Sequence, residues 1–274
     1  MRKRISFILI VALTYTLVSA QTYKEWLDRS YLAADGKDWV SAVDCLRNAL
    51  RAEPANPQNA WLLSNMGTMQ RNMDNKDAAR QSYTNGLLFA PNSVTLLLNR
   101  AALLLEMDSL TAALSDYNSV ILLEEKNVEA LVSRGEICLA LNDTVAARRD
   151  FETVIKLDSH NLRALSGSAL QKKIVGQYVE SEKIYNLLIS QLPDNQSLLF
   201  NRAELYYLNQ KFPKALTDVN KVIKLSDQDP LNYFLRGKIH FSLYEQKLAY
   251  QDFLKSKELG YRSEELAYWL KKSR

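Results

Sequence analysis

The sequence predicts an all-α chain, an array of stacked helical hairpins, and three observations carry that expectation. The first is periodicity. Residues 128–161 place Leu131, Arg134, Gly135 and Cys138 at i, i+3, i+4 and i+7, one face of a helix, and Ala147, Phe151, Val154 and Ile155 on one face of a second. The second is repetition: the pattern restarts every 34 residues, at Ala60, Val94, Val128, Leu162, Gln196 and Pro230, with no insertion or deletion. A lone hairpin cannot bury both apolar faces, so repetition implies stacking. The third is size. The eighth position of each unit holds Ser30, Gly67, Ala101, Gly135, Ala169, Ala203 or Gly237, and the twentieth holds Ala42, Ala79, Ala113, Ala147, Ser181, Ala215 or Ala249. Small residues are what two helices need where they cross closely.

Residues 1–20 have the parts of an export signal: basic Arg2, Lys3 and Arg4, an apolar run over residues 5–18, and Val18-Ser19-Ala20 with small residues at the cleavage positions. Cleavage after Ala20 is expected. The apolar run is shorter than the ~20 residues a spanning helix needs, so the mature chain is expected to hold no stable membrane span. Of the formal net charge of +4, those three basic residues supply three, leaving +1 beyond Ala20. That balance gives no electrostatic footprint for nucleic acid.

The first hairpin, residues 23–56, keeps Trp26, Ala42 and Pro54 but stands three residues out of phase with the next, because Pro57-Gln58-Asn59 intervenes. Six in-phase hairpins follow at 60–93, 94–127, 128–161, 162–195, 196–229 and 230–263. Prolines at 54, 91 and 193 stand where second helices end, since a helix cannot continue through them. In the seventh hairpin Lys257 replaces the aliphatic residue of position twenty-eight, so its outer face is already partly polar. Residues 264–274 read as a capping helix. Ser263 is its N-cap, Glu264 and Glu265 lie in its first turn, and Lys271 and Lys272 in its last, which suits the helix dipole. Its Leu266, Ala267, Trp269 and Leu270 are expected to lie on the seventh hairpin.

The period, the pair of small positions, the bulky residue at position twenty-four (Tyr83, Tyr117, Phe151, Tyr185 and Phe253 among them) and the terminal prolines make residues 23–263 resemble the tetratricopeptide repeat family. The resemblance implies an α-solenoid, a right-handed superhelix of helix pairs whose concave face binds peptides or partner proteins. It implies no reaction.

A second regularity lies inside the array. Arg100, Arg134, Arg202 and Arg236 occupy position seven, and each is followed sixteen residues later by an aspartate: Asp116, Asp150, Asp218 and Asp252. The second and fifth units lack both members, with Met66 and Ser82 in one and Ser168 and Ile184 in the other, and only the first has the arginine alone, Arg29 with Cys45. Joint presence and absence predicts a partly buried bridge within each hairpin that fixes register more than it adds stability.

Enzymatic constellations are scarce. His160 falls in a turn and His240 at a packed position; Cys45 and Cys138 stand three repeats apart and are expected to be unbridged, since a disulfide needs Cα atoms within ~7 Å. No phosphate loop, nucleophile elbow or cofactor motif appears, so a non-catalytic role is expected. For binding, positions two, five, nine and twelve of the first helices form the stripe that lines the groove in the family. The sixth unit puts Phe200, Glu204 and Tyr207 there, and the seventh Leu231, Phe234, Lys238 and Phe241. Trp61, Ser64, Thr68 and Arg71 occupy it in the second unit, and Arg163, Ser166 and Lys173 in the fifth. Aromatic anchors among a few charges suit a peptide groove. The competing reading is that these side chains pack between adjacent first helices, as Leu98, Leu105, Val132 and Leu139 would.

The expectation is therefore an exported scaffold in a bacterial periplasm, at the cell surface or secreted, holding a protein or peptide partner. One alternative is a structural or assembly subunit of an envelope complex that works through the convex face or the array ends. Another is an exported hydrolase or carbohydrate-binding accessory, which would need a clustered His, Cys or acid set.

Overall fold

The computed structural model describes residues 21–274; the expected export signal, residues 1–20, lies outside them. Fifteen helices and no strand occur among the described residues. The chain divides into two compact units, Met1–Met107 and Asp108–Arg274.

In the first unit α1 (Tyr23–Asp35) pairs with α2 (Trp39–Ala52) and α3 (Asn59–Asn72) with α4 (Lys76–Phe89), and α5 (Val94–Glu106) packs on α4. Tyr23, Val43, Leu46, Leu62, Leu63 and Met66 make one core cluster across the first two hairpins. The out-of-phase segment has a physical role: Asn59 is fully buried, and its amide donates to the carbonyls of Glu53 at 2.9 Å and Pro54 at 3.1 Å, carrying the chain from the end of α2 into α3.

The second unit opens with α6 (Leu110–Leu123), which packs on α7 (Val128–Ala140). Four hairpins follow, α7 with α8 (Thr144–Leu157), α9 (Leu162–Ile174) with α10 (Tyr178–Gln191), α11 (Gln196–Leu208) with α12 (Phe212–Leu225), and α13 (Pro230–Ser242) with α14 (Gln246–Glu258). Helix α15 (Glu264–Lys272) lies on α14.

Helix starts follow side-chain chemistry. Asn127, Asn161 and Asn195 each accept the N–H three residues on, at 3.0 Å, and Asp143 does the same for α8. Within each hairpin the turn is built one way throughout. Lys37, Asp74, Asp108, Asn142, Gly176, Gln210 and Tyr244, each at position fifteen, have φ between 54° and 79°. The left-handed residue ends the first helix, and the next N–H bonds back across the turn, as Asp143 does to the Cys138 carbonyl at 2.8 Å. Only one of the seven is glycine, so six side chains sit in a conformation that costs each of them about 1 kcal/mol.

The small positions do what their size requires, with one addition. Ala42, Ala79, Ala113, Ala147, Ala215 and Ala249 at position twenty are fully buried. At position eight the close neighbour is the ring of position twenty-four: a Cβ on Gly67 would stand 2.5 Å from Tyr83, on Gly135 2.7 Å from Phe151, and on Gly237 2.6 Å from Phe253. The glycine makes room for an aromatic ring as well as for a backbone.

At the carboxyl end Leu266 is buried against Phe234, Phe253 and Ala249, and Trp269 stacks on Phe253 at 5.9 Å. Ala267, expected on that same face, is exposed instead. One helix cannot turn all four inward, and Leu266, Trp269 and Leu270, at i, i+3 and i+4, take the contact.

Candidate binding face

Helices α7, α9, α11 and α13 lie side by side, which brings their position-two, -five, -nine and -twelve residues into one stripe. Its charged members are tied to one another across neighbouring helices. Glu136 pairs with Arg163 at 2.6 Å, Lys173 with Glu204 at 2.7 Å, and Lys238 with Glu265 of α15 at 3.0 Å. Lys173 is buried and also donates to Asn201 at 2.9 Å. Arg71 and Glu106 form the equivalent pair in the first unit, and hydrogen bonding to that guanidinium holds the Glu106 carboxyl below the usual carboxylate range.

The aromatic members fare differently from the expectation. Phe234 is only 7% exposed, its ring 5.8 Å from Phe253 and 5.1 Å from Tyr261, so it belongs to the core beneath α15. Phe241 sits edge-on to Trp269 at 5.1 Å. The packing alternative thus describes both better than an open groove does. Tyr207 lies against Phe212, and the Lys238 ammonium stands 5.2 Å from the Tyr207 ring and 5.4 Å from that of Phe234, a cation held over two aromatic faces. Phe200 and Leu231 border a shallow depression of about 200 Å³ between α11 and α13. In the first unit Trp61 is half exposed beside Tyr31, ring centroids 6.0 Å apart.

The larger opening lies between α7 and α9. A depression of about 410 Å³ is walled by Leu139, Ala140, Leu170 and Ile174, with Glu136 and Arg163 at its rim and Ser166 and Gly167 in its floor. Its origin is local. Position five is Val132, Phe200 or Phe234 elsewhere in this unit but Ser166 here, and a Cβ on Gly167 would run into the Phe151 ring. The glycine lets the Phe151 ring pack against α9, and the short Ser166 side chain leaves a trough with apolar walls above it. The residue pattern marks the spot, a serine where the neighbouring repeats carry Val132 and Phe200, yet Arg163, Ser166 and Lys173 read together as merely polar.

The arginine positions show a clamp with two partners. Arg134 donates to both carboxylate oxygens of Asp150 at 2.8 and 2.7 Å, Arg202 to Asp218 at 2.7 and 2.8 Å, and Arg236 to Asp252 at 2.8 and 2.7 Å. The remaining guanidinium nitrogen of each reaches back to the preceding repeat: Asn118 at 2.9 Å, Asn186 at 2.7 Å and Asn220 at 3.0 Å. Each arginine thus holds its own hairpin together and fastens it to the one before. Arg100 donates backward in the same way to Thr84 at 3.2 Å within the first unit; Asp116 belongs to the second. The signal for the backward partner was present, an Asn or Thr sixteen residues before each of these arginines.

Reactive groups are sparse. Among the described residues no group of three or more His, Cys, Asp or Glu could hold a metal ion, and no helix is long and apolar enough to cross a membrane. Both cysteines are free thiols, and burial pushes the Cys138 thiol up, away from the reactive thiolate. His240 is fixed by Glu245 at 2.5 Å, with Asp252 at 3.7 Å.

Comparison with known proteins agrees with this geometry. The crystal structure of a tetratricopeptide repeat protein from Parabacteroides merdae ATCC 43184 is 38% identical over 92% of this chain and 98% of its own, with a TM-score of 0.73. PilW, a type IV pilus biogenesis factor, is 17% identical over 79% of this chain and 100% of its own, with a TM-score of 0.68. Pseudomonas aeruginosa pilF is 13% identical over 78% and 98%, with a TM-score of 0.63. At those identities the last two share the fold alone. No family model and no curated protein matches the sequence. Hairpin period, small-residue crossings and the 38% identical relative lead to one conclusion: the chain belongs to the tetratricopeptide repeat family and is an all-α solenoid.

Proposed function

We propose that this protein is a non-catalytic scaffold that is exported and holds a segment of a partner protein against the α7–α9 face. Family membership supports protein binding as the general role. The observation that carries the choice of face is the 410 Å³ trough between α7 and α9, because it is the place on the stripe where apolar walls are open and not already filled by a neighbour. An aliphatic side chain of the partner fits between Leu139, Leu170 and Ile174, and the half-exposed Arg163 and Glu136 supply polar contacts at the rim. Export rests on the basic start, apolar run and small-residue site of residues 1–20.

The test is capture of a partner from envelope extract by the chain and by a Ser166→Trp variant, in which the indole fills the trough. Partner bound by the first and lost by the second, at equal helicity, is expected; equal capture by both would rule this face out. Sequencing the exported protein from its first residue checks the other half: Gln21 is expected, and Met1 would contradict cleavage.

A further inference from the structure

Helix α15 begins at Glu264, thirty-four residues after Pro230, and so stands in register as a first helix. Its Ala267, Leu270, Lys271 and Arg274 occupy positions four, seven, eight and eleven, the face that every earlier first helix turns toward its own second helix. Leu270 leans on the Phe253 core and Arg274 reaches the Tyr250 hydroxyl at 3.4 Å, but Ala267 and Lys271 are exposed, and a depression of about 360 Å³ runs along this side, lined by Leu266, Ala267 and Leu270 with Lys257 and Arg262 beside them. Lys271 stands at position eight, where Ser, Gly or Ala permits a tight crossing in all seven hairpins. A long cationic side chain there excludes the small-residue crossing and favours a helix that brings a carboxylate to it. The lining holds two cations, Lys257 and Arg262, and one acid, Glu264, and Lys271 and Arg274 stand exposed farther along the same helix.

The complementary surface is on α1. Its Glu25, Asp28, Leu32 and Asp35 lie along one face at i, i+3, i+7 and i+10. These are positions three, six, ten and thirteen; in the later units positions three and ten hold residues such as Leu96 and Leu103, or Leu198 and Leu205, all buried against the preceding repeat. Here Leu32 is 78% exposed and is flanked by three exposed carboxylates, with Arg29 at the margin lying over the Trp26 ring.

We infer that α1 of one copy docks in the α14–α15 seat of a second copy, Leu32 on Leu270 and Ala267 and the acids of α1 on Lys257, Arg262 and Lys271, so that copies join head to tail. The contact is heterologous, since each copy offers one surface and receives the other, and growth is not limited to a dimer. Charges of opposite sign around a small apolar centre give the contact specificity and salt dependence. The inference does not rest on the partner-binding face between α7 and α9.

Sedimentation of the purified chain over a hundred-fold range of concentration tests it. At low salt the weight-average mass is expected to climb above the 31.3 kDa of one chain, and raising salt is expected to weaken association about tenfold. Asp28→Lys with Asp35→Lys should give monomers, and so should Lys257→Glu with Lys271→Glu, each with unchanged helical circular dichroism. Mixing the two variants should restore assembly, because a basic α1 then meets an acidic seat and an acidic α1 a basic one. A wild-type chain that stays monomeric throughout would overturn self-docking and leave the seat to an acidic helix of another protein. Association unaffected by either pair of reversals, or no recovery in the mixture, would overturn it as well.

Discussion

Adjacent repeats 128–161 and 162–195 share a backbone plan and differ in how they are fastened. The first has Arg134 gripping Asp150 and Asn118, an Asp143 cap on α8, and Ile137 buried at position ten. The second has Ser168 and Ile184 where the clamp would be, no side-chain cap on α10, and Gln171 at position ten, only 4% exposed, whose Oε1 has no partner among the described residues. Toward repeat 196–229 it is held firmly, by Lys173 to Glu204 and Asn201, and by Glu182 to Lys211 at 2.7 Å and Lys214 at 3.2 Å. Toward repeat 128–161 its polar ties are the half-exposed Arg163 to Glu136 and Ser133, of a kind that contributes about 0–1 kcal/mol, beside Ala164 and Gly167 packed on the Phe151 core. The trough lies on the side without the strong ion pairs. Departures from a repeating rule gather where an array has something to do besides stack.

The largest change should come from breaking the tight repeat. Asp150→Ala strands the Arg134 guanidinium beside a buried void and should cost about 3 kcal/mol by urea denaturation; a loss under 1 kcal/mol would mean that the clamp contributes little. Mending the loose repeat is the converse experiment. Gln171→Leu replaces an unpaired buried amide oxygen with the aliphatic group found at Leu205 and should stabilise by about 1–2 kcal/mol. A destabilised variant would show that the amide has a partner worth keeping. Tyr244→Gly, at a left-handed residue whose ring is 91% exposed, should add about 1 kcal/mol and serves as a control outside both repeats.

The smallest effect concerns pH and the firm side of repeat 162–195. Hydrogen bonding from the Lys211 ammonium, aided by Lys214 and Tyr206, holds the Glu182 carboxyl below its ordinary value. A depressed carboxyl contributes stability that is present above its unfolded pKa and is lost as pH falls through the folded one. Glu182→Gln should therefore flatten the acid limb of the stability profile and leave its slope at neutral pH unchanged. An unaltered acid limb would remove Glu182 from the inter-repeat tie.

Much of the architecture was legible because it depends on residue size and spacing. The 34-residue period located the helices, and the arginines and aspartates betrayed their pairing by appearing and vanishing together in every repeat but the first, where Arg29 faces Cys45. The left-handed turns were not legible, since six of the seven carry a residue other than glycine and tolerate the strain through the back-bond across the turn. Phe234 misled because position five looks the same whether the next element covers it or leaves it open, and α15 covers it. The trough was missed for a related reason. It opens over a short side chain, and Ser166 and Gly167 carry no apolar signal of their own.

Amide hydrogen exchange on the intact chain measures the contrast between clamped and unclamped repeats most directly, because it reports local opening free energy helix by helix. Amides of α9 should exchange at lower opening free energy than those of α7 and α11, with protection in α9 rising in Gln171→Leu. Uniform protection across the three helices, unchanged by that substitution, would contradict the contrast between clamped and unclamped repeats.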